Sequence, residues 1–299
     1  MNLGVDIAGV HFNNPVIAAS GTFGFGKEFA EYIDLNKLGG ICSKGLTIHK
    51  NLGNKGIRIY ETSSGIMNSI GLQNPGIDYF INTELPFMLE KDTVTIANLG
   101  GHSVKDYIKA AEILNNTEVP MIELNISCPN VKEGGMAFGT DPSKADEVIS
   151  KVRRVTDKPL IVKLSPNVGS ISEFAKLAQN CGADAISLVN TFNAMAIDIK
   201  AKAPVFVNKT AGLSGPAIKP IALRMVYEAT HAVDIPVIGM GGIMDYKDAI
   251  EFIMAGASAI QVGTANFIDY NTMIDIVAGI KNYMREENIT DIKEITGII

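Results

Sequence analysis

Short apolar runs recur along the chain near residues 16, 41, 96, 123, 161, 187, 238 and 261. Most are separated by stretches with apolar residues at helical spacing. Each run is four to six residues long, which suits a strand buried on both faces. From Val94 the alternation is regular. A helix capped by Ser103 carries Val104, Tyr107, Ile108, Ala111 and Leu114 on one face. A helix capped by Ser143 carries Ala145, Val148, Ile149, Val152 and Val155, and one from Ile171 to Cys181 ends at Gly182. An Asp245-capped helix turns Ala249, Ile250 and Ile253 inward. Earlier helical signals run from Lys27 to Asp34 and from Ile77 to Leu89. Two passages echo each other, Gly182-Ala183-Asp184-Ala185-Ile186 and Gly256-Ala257-Ser258-Ala259-Ile260. Each reads as a helix end, a tight turn and a buried strand.

Eight such strands alternating with helices predict a parallel α/β fold, a TIM (β/α)8 barrel occupying residues 1–299 as a single domain. The competing fold is an open doubly wound sheet. Against it, no GxGxxG follows the first strand. Residues 3–12 alternate around Ala8-Gly9, which predicts an N-terminal hairpin at the bottom of the barrel. Three stretches exceed a simple strand–helix repeat and predict insertions after strands 2, 4 and 6: residues 46–90, 131–140 and 191–215.

Composition narrows the function. The 299 residues exceed the ~250 typical of such a barrel only modestly. A net charge of −6, without a Lys/Arg block, argues against nucleic acid as a partner. No apolar run approaches the ~18 residues of a membrane span. The N-terminus lacks the pattern of a secretory signal, and the odd cysteine count fits a reducing cytoplasm. Cys42, Cys128 and Cys181 form no CxxC pair and cannot supply a four-cysteine iron–sulfur set. The four histidines are scattered, so no metal site is expected.

In a barrel of this kind the C-terminal strand ends form the active-site mouth. Here they carry Ser20, Lys44, Asn98, Asn125, Lys163, Asn190-Thr191, Gly241-Gly242 and Gly263-Thr264. Lysines ending apolar strands call for an anion, or else for Schiff-base chemistry. Amides offer directed donors and acceptors to a planar ring. Glycines after strands 7 and 8 either bind phosphate or only make tight turns. Cys42 and Cys181 read as core residues. Cys128 follows a buried strand and precedes Pro129, where core packing is least expected, and a thiol there can serve as a base.

The run Asn125-Ile126-Ser127-Cys128-Pro129-Asn130, with Asn68-Ser69-Ile70-Gly71-Leu72 and Lys44, resembles dihydroorotate dehydrogenase, the flavin enzyme of pyrimidine synthesis. The resemblance runs from Asn14-Pro15 to Gly263-Thr264. The cysteine implies the soluble class; the similar membrane-bound class uses serine. Val131-Lys132-Glu133-Gly134-Gly135 and Gly212-Leu213-Ser214-Gly215-Pro216 further resemble class 1B, whose catalytic subunit works in an NAD-linked complex.

By position, the resemblance implies FMN held by Ser20, Lys44, Gly45, Asn98, Asn125, Lys163, Val189, Gly215, Gly241, Gly242, Gly263 and Thr264. It implies dihydroorotate contacts from Lys44, Asn68, Ser69, Ile70, Gly71, Leu72, Asn125, Asn190 and Thr191. Cys128 would take the C5 proton, Lys44 would balance the substrate carboxylate, and Lys163 would stabilise charge on the reduced flavin ring. It also implies a partner subunit carrying FAD and 2Fe-2S, with a homodimeric core inside a heterotetramer. The rival readings are class 1A, which passes electrons to fumarate; dihydropyrimidine dehydrogenase, which needs further cysteine-rich sequence; a non-redox Schiff-base lyase using Lys44 or Lys163; and a non-enzymatic scaffold.

Overall fold

The computed structural model of the chain describes residues 1–127 and 135–299. The hairpin forms from β1 (Val5–Ile7) and β2 (Val10–Phe12), with Ala8 and Gly9 at positive φ in the turn. Phe12 is fully buried, and its ring lies beside Gly40 at the start of the second barrel strand.

The barrel strands are β3 (Val16–Ala18), β4 (Gly40–Cys42), β7 (Val94–Leu99), β8 (Met121–Asn125), β9 (Leu160–Lys163), β10 (Ala185–Leu188), β15 (Val237–Met240) and β16 (Ala259–Val262). They close in chain order through parallel pairs, and Ile260 opposite Val16 completes the ring. All eight coincide with the apolar runs of the sequence. Nearly every residue in them is buried, the pattern of a sheet covered by helices outside and side chains inside.

The remaining strands come from the insertions. The segment after the second barrel strand forms β5 (Ile59–Thr62) and β6 (Gly65–Asn68). The segment after the sixth forms β11 (Phe192–Met195), β12 (Ile197–Asp198), β13 (Ala203–Pro204) and β14 (Thr210–Ser214). These two segments pair with each other. The antiparallel order β11-β14-β6-β5 sets Gly212 opposite Asn68 and Ser214 opposite Ile66. Met67, Phe206 and Ala211 give this sheet a small core of its own. Residues 128–134, which include the first four of the 131–140 insertion after the fourth strand, lie outside the described residues.

The helices differ from the sequence reading in three places. Helical turns α1 (Ile77–Tyr79) and α2 (Leu85–Leu89) are joined by a π-helical turn, Phe80–Glu84, rather than making one regular helix. Pro86 supplies a reason, since it has no N–H for the carbonyl four residues back. The expected helix over Lys27–Asp34 is only a 3-10 turn, Phe29–Glu31, with no buried residue to anchor it. A second short turn, Leu35–Lys37, follows, capped by Asp34.

The other helices are α3 (Val104–Asn115), α4 (Gly135–Thr140), α5 (Pro142–Arg153), α6 (Ile171–Asn180), α7 (Lys219–Thr230), α8 (Tyr246–Met254) and α9 (Thr272–Glu286). The cap of α5 is Asp141, not Ser143. Its Oδ1 accepts from the Ser143 and Lys144 amides, and Pro142 fills the first turn, where no N–H is needed. Ser103, Ser170 and Asp245 cap α3, α6 and α8, and Gly182 follows α6 at positive φ.

Gly279 lets α9 lie close against α8. A Cβ there would sit 2.4 Å from Tyr246 Cβ and Cγ. Alanine would gain about 1 kcal/mol of helix propensity. Forcing the two helices apart costs about 1–3 kcal/mol. Gly279→Ala is therefore expected to lower the denaturation midpoint. A raised midpoint would show that the helices separate without loss.

Candidate active site

At the C-terminal end of the barrel, under the four-stranded sheet, lies a cavity of about 1510 Å³ including its open mouth. Its floor and walls bring together Ser20, Lys44, Gly45, Asn125, Lys163, Val189, Asn190, Thr191, Gly215, Gly241, Gly242, Gly263 and Thr264. The insertion after the second strand adds Asn68, Ile70, Gly71 and Leu72. Apolar surface comes from Ile59, Ile66, Ile218, Met240, Met244 and Phe267, which the sequence reading did not single out.

Two of the residues named from the sequence stand behind the wall. Asn98 is fully buried; its Nδ2 donates to Glu123 Oε1 (2.6 Å) and its Oδ1 accepts from Asn125 Nδ2 (3.3 Å). Ser69 is also buried, and its hydroxyl accepts from Asn54 Nδ2 (3.1 Å) and Asn208 Nδ2 (3.4 Å), tying the two insertions together. Both residues position others rather than face the cavity.

The two lysines differ in their surroundings. Lys163 is 5% exposed, and its Nζ lies 3.7 Å from Glu123 Oε1. Lys44 makes no ion pair among the described residues. Burial, then the Arg58 guanidinium, push the Lys44 ammonium below its usual range, while Glu28 acts the other way. A half-buried cation without a counter-ion is a ready partner for a ligand carboxylate.

The amides form a directed chain. The Tyr107 hydroxyl donates to the Asn125 carbonyl (2.9 Å), fixing the end of β8. Ser127 Oγ donates to Asn125 Oδ1 (3.1 Å), and Asn190 Nδ2 donates to Ser127 Oγ (2.8 Å). This settles which faces the Asn125 and Asn190 side chains offer to the cavity. Cys128, the next residue, lies outside the described residues.

The glycine ends of the last two strands play different parts. Gly241 has φ +128°, and an added Cβ would sit 2.6 Å from Ala222 Cβ, so the backbone and packing both require glycine. At Gly263 an added Cβ would meet nothing closer than 3.7 Å. Packing does not demand glycine there; its absent side chain leaves space on the cavity wall.

Glu123, under the cavity, was missed as a site residue although it interrupts an apolar strand. It is fully buried at the barrel centre. The strand period of two gave the signal, because Glu123 and Asn125 share a face. Cys42, read as a plain core residue, donates its Sγ proton to Glu123 Oε1 (3.2 Å). Burial and the facing carboxylate drive the Cys42 thiol well above its ordinary pKa, so it remains a donor. Among the described residues no His/Cys/Asp/Glu group could hold a metal, and no helix is long and apolar enough to cross a membrane.

Fold and site together define an α/β-barrel protein whose main cavity opens at the C-terminal ends of its strands, where barrels of this kind hold their ligands. Residues 2–284 match the family model described as dihydroorotate dehydrogenase. Curated relatives named "dihydroorotate dehydrogenase B (NAD(+)), catalytic subunit" are similar along the whole chain. The one from Petrotoga mobilis is 62% identical, covering 99% of this chain and 98% of the relative. Those from Thermoanaerobacter pseudethanolicus and Caldicellulosiruptor bescii are each 55% identical, covering 99% and 100% of this chain and 98% and 99% of the relatives. The chain belongs to the dihydroorotate dehydrogenase family.

Proposed function

We propose that residues 1–299 act as one catalytic unit that oxidises dihydroorotate to orotate in pyrimidine synthesis, as the class 1B catalytic subunit. The observation that carries this reading is the cavity, where an uncompensated Lys44 ammonium, a Lys163 ammonium and oriented amides share one chamber. That donor set suits two stacked planar ligands with carbonyl and N–H edges. FMN fits the same chamber. Its phosphate is assigned to Gly215, Gly241, Gly242, Gly263 and Thr264, where Gly263 leaves room that packing does not need. Its ring is assigned to Ser20, Lys44, Gly45, Asn125, Lys163 and Val189, with Asn98 acting from behind the wall.

Bound FMN supplies the two-electron acceptor for the hydride from C6 of the substrate. The chain's own residues do the rest. Lys44 holds the substrate carboxylate. Asn68, Asn125, Asn190 and Thr191 orient the pyrimidine edges, Ile70, Gly71 and Leu72 close over the ring, and Ser69 braces that segment. Fixing both rings in this way is the source of the orientation effect. Cys128 takes the C5 proton as general base. The Lys163 ammonium would offer a positive charge to a bound flavin ring.

Electrons then leave the chain. Its three cysteines make no four-cysteine iron–sulfur set and its sequence has no dinucleotide fingerprint, which supports transfer through a separate subunit rather than directly to NAD. A separate subunit carrying FAD and 2Fe-2S completes the path, around a homodimeric core in the cytoplasm. Exposed apolar residues in and beside the insertions, Ile59, Ile197, Ile199 and Val207 among them, support the homodimer. The purified chain is expected to be yellow and to be bleached by dihydroorotate. It should reduce NAD only after a partner subunit is added. Full NAD reduction by the chain alone would remove the partner from the scheme.

A further inference from the structure

Glu123 is bound from every side of the barrel interior. Oε1 accepts from Asn98 Nδ2 (2.6 Å) and Cys42 Sγ (3.2 Å), and Oε2 accepts from Ser187 Oγ (2.8 Å) and Gln261 Nε2 (2.8 Å). These donors stand on β7, β4, β10 and β16, while the Lys163 ammonium on β9 lies 3.7 Å away. Lys163 is paired in register with Asn125 on one side and Ser187 on the other, so its stem is held between strands. A stability role alone explains this cluster poorly. Placing an ion pair and four donors in a barrel core usually gains nothing over apolar packing. The cluster also sits directly below residues that line the cavity: Lys163, Asn125 and Gln261.

We propose that Glu123 is a positioning residue whose buried carboxylate holds the Lys163 ammonium, charged and in place, at the cavity floor. This rests on the flavin reading above only for its consequence at the bound ring. Burial alone would raise the Glu123 carboxyl, but the Lys163 ammonium and the bonds from Gln261, Ser187 and Cys42 overcome it and keep Glu123 ionised. A buried lysine deprived of its counter-ion gives up its proton at lower pH. Among the described residues, the titratable groups facing Lys163 are Glu123 and the Cys42 thiol bonded to it; Lys44 lines the same cavity. Cys42 and Lys44 remain in every variant below.

Glu123→Gln isolates the charge. The new amide keeps the volume, its oxygen still accepts from Asn98 and Cys42, and its NH2 faces Ser187 and Gln261. Gln261 Oε1 has no partner among the described residues, so turning that amide supplies the acceptor. The fold is therefore retained.

The test reads Lys163 directly in flavin-free full-length chain, by competitive amine acetylation against pH, with Lys163 located by mass spectrometry and normalised to Lys44. Only the neutral amine reacts. At about pH 8, E123Q should raise Lys163 labelling by about tenfold or more over the native chain, as an uncompensated buried lysine requires. Equal labelling overturns the proposal.

A second arm measures the midpoint potential of the bound flavin in the native chain, E123Q, K163M and the double variant. At low pH, with Lys163 still protonated, the E123Q potential should lie at or above the native value, and as pH rises it should fall towards that of K163M. Adding E123Q to K163M should change nothing. An equal E123Q shift in both backgrounds means that Glu123 acts independently of Lys163, and overturns the proposal. If the native chain takes up no FMN, the flavin reading fails, while the labelling arm still decides the role of Glu123.

Discussion

Cys128→Ala is expected to leave FMN bound and to slow flavin reduction by dihydroorotate by about 10²–10⁴-fold, the usual contribution of a positioned general base. On the proposed mechanism the C5 proton needs an acceptor as the hydride leaves C6, and the described residues of the cavity offer no other base. Glu123 is buried under the floor and saturated with donors. The residue before Cys128 is firmly held, since Ser127 is buried and bonded to both Asn125 and Asn190. Cys128→Ser should also be slow at neutral pH, because an unactivated hydroxyl is a far weaker base than a thiolate. Rapid-mixing of anaerobic enzyme with dihydroorotate measures the step directly, with dithionite reduction as a control that should not change. Native reduction rates in Cys128→Ala would remove the thiol from the mechanism.

Lys44→Gln should weaken dihydroorotate binding by roughly 10–150-fold, the value of a charge-assisted hydrogen bond in a shielded site. The effect should fall mainly on KM, since the carboxylate is held alike before and during the reaction. Its pH dependence has a definite sign. Burial and Arg58 depress the Lys44 pKa, so the ammonium is fully present at low pH and is lost sooner than an ordinary lysine as pH rises. Native affinity should therefore decline on the alkaline side, and Lys44→Gln should flatten that decline. Binding titrations of orotate across the alkaline range report it without turnover. A native affinity that stays constant there would place the substrate carboxylate elsewhere.

The barrel was legible because buried parallel strands write themselves as largely apolar runs, and all eight fall where the sequence puts them. Most of the cavity wall followed from that, since a strand's C-terminal end is a position in sequence as well as in space. What escaped notice was non-local. The pairing of Gly212 with Asn68 joins two insertions far apart in the chain, and no periodicity within either announces it. Asn98 was placed in the wall by its strand end and Ser69 by the resemblance, although their side chains turn to Glu123 and to Asn54 and Asn208. Asp141 outcompeted Ser143 as a cap because Pro142 takes the first helical position. Glu123 was passed over because it lies one register step below the mouth. Its importance depends on donors from four other strands that only closure of the barrel brings together.

The central claim is that this cavity passes two electrons from dihydroorotate to a bound flavin. Anaerobic titration of the purified chain with dihydroorotate, following flavin absorbance and orotate together, tests it most directly. The account predicts bleaching that reaches completion with orotate formed in equal amount to the flavin reduced. A flavin-free chain, or a flavin that stays oxidised in excess dihydroorotate, would contradict it.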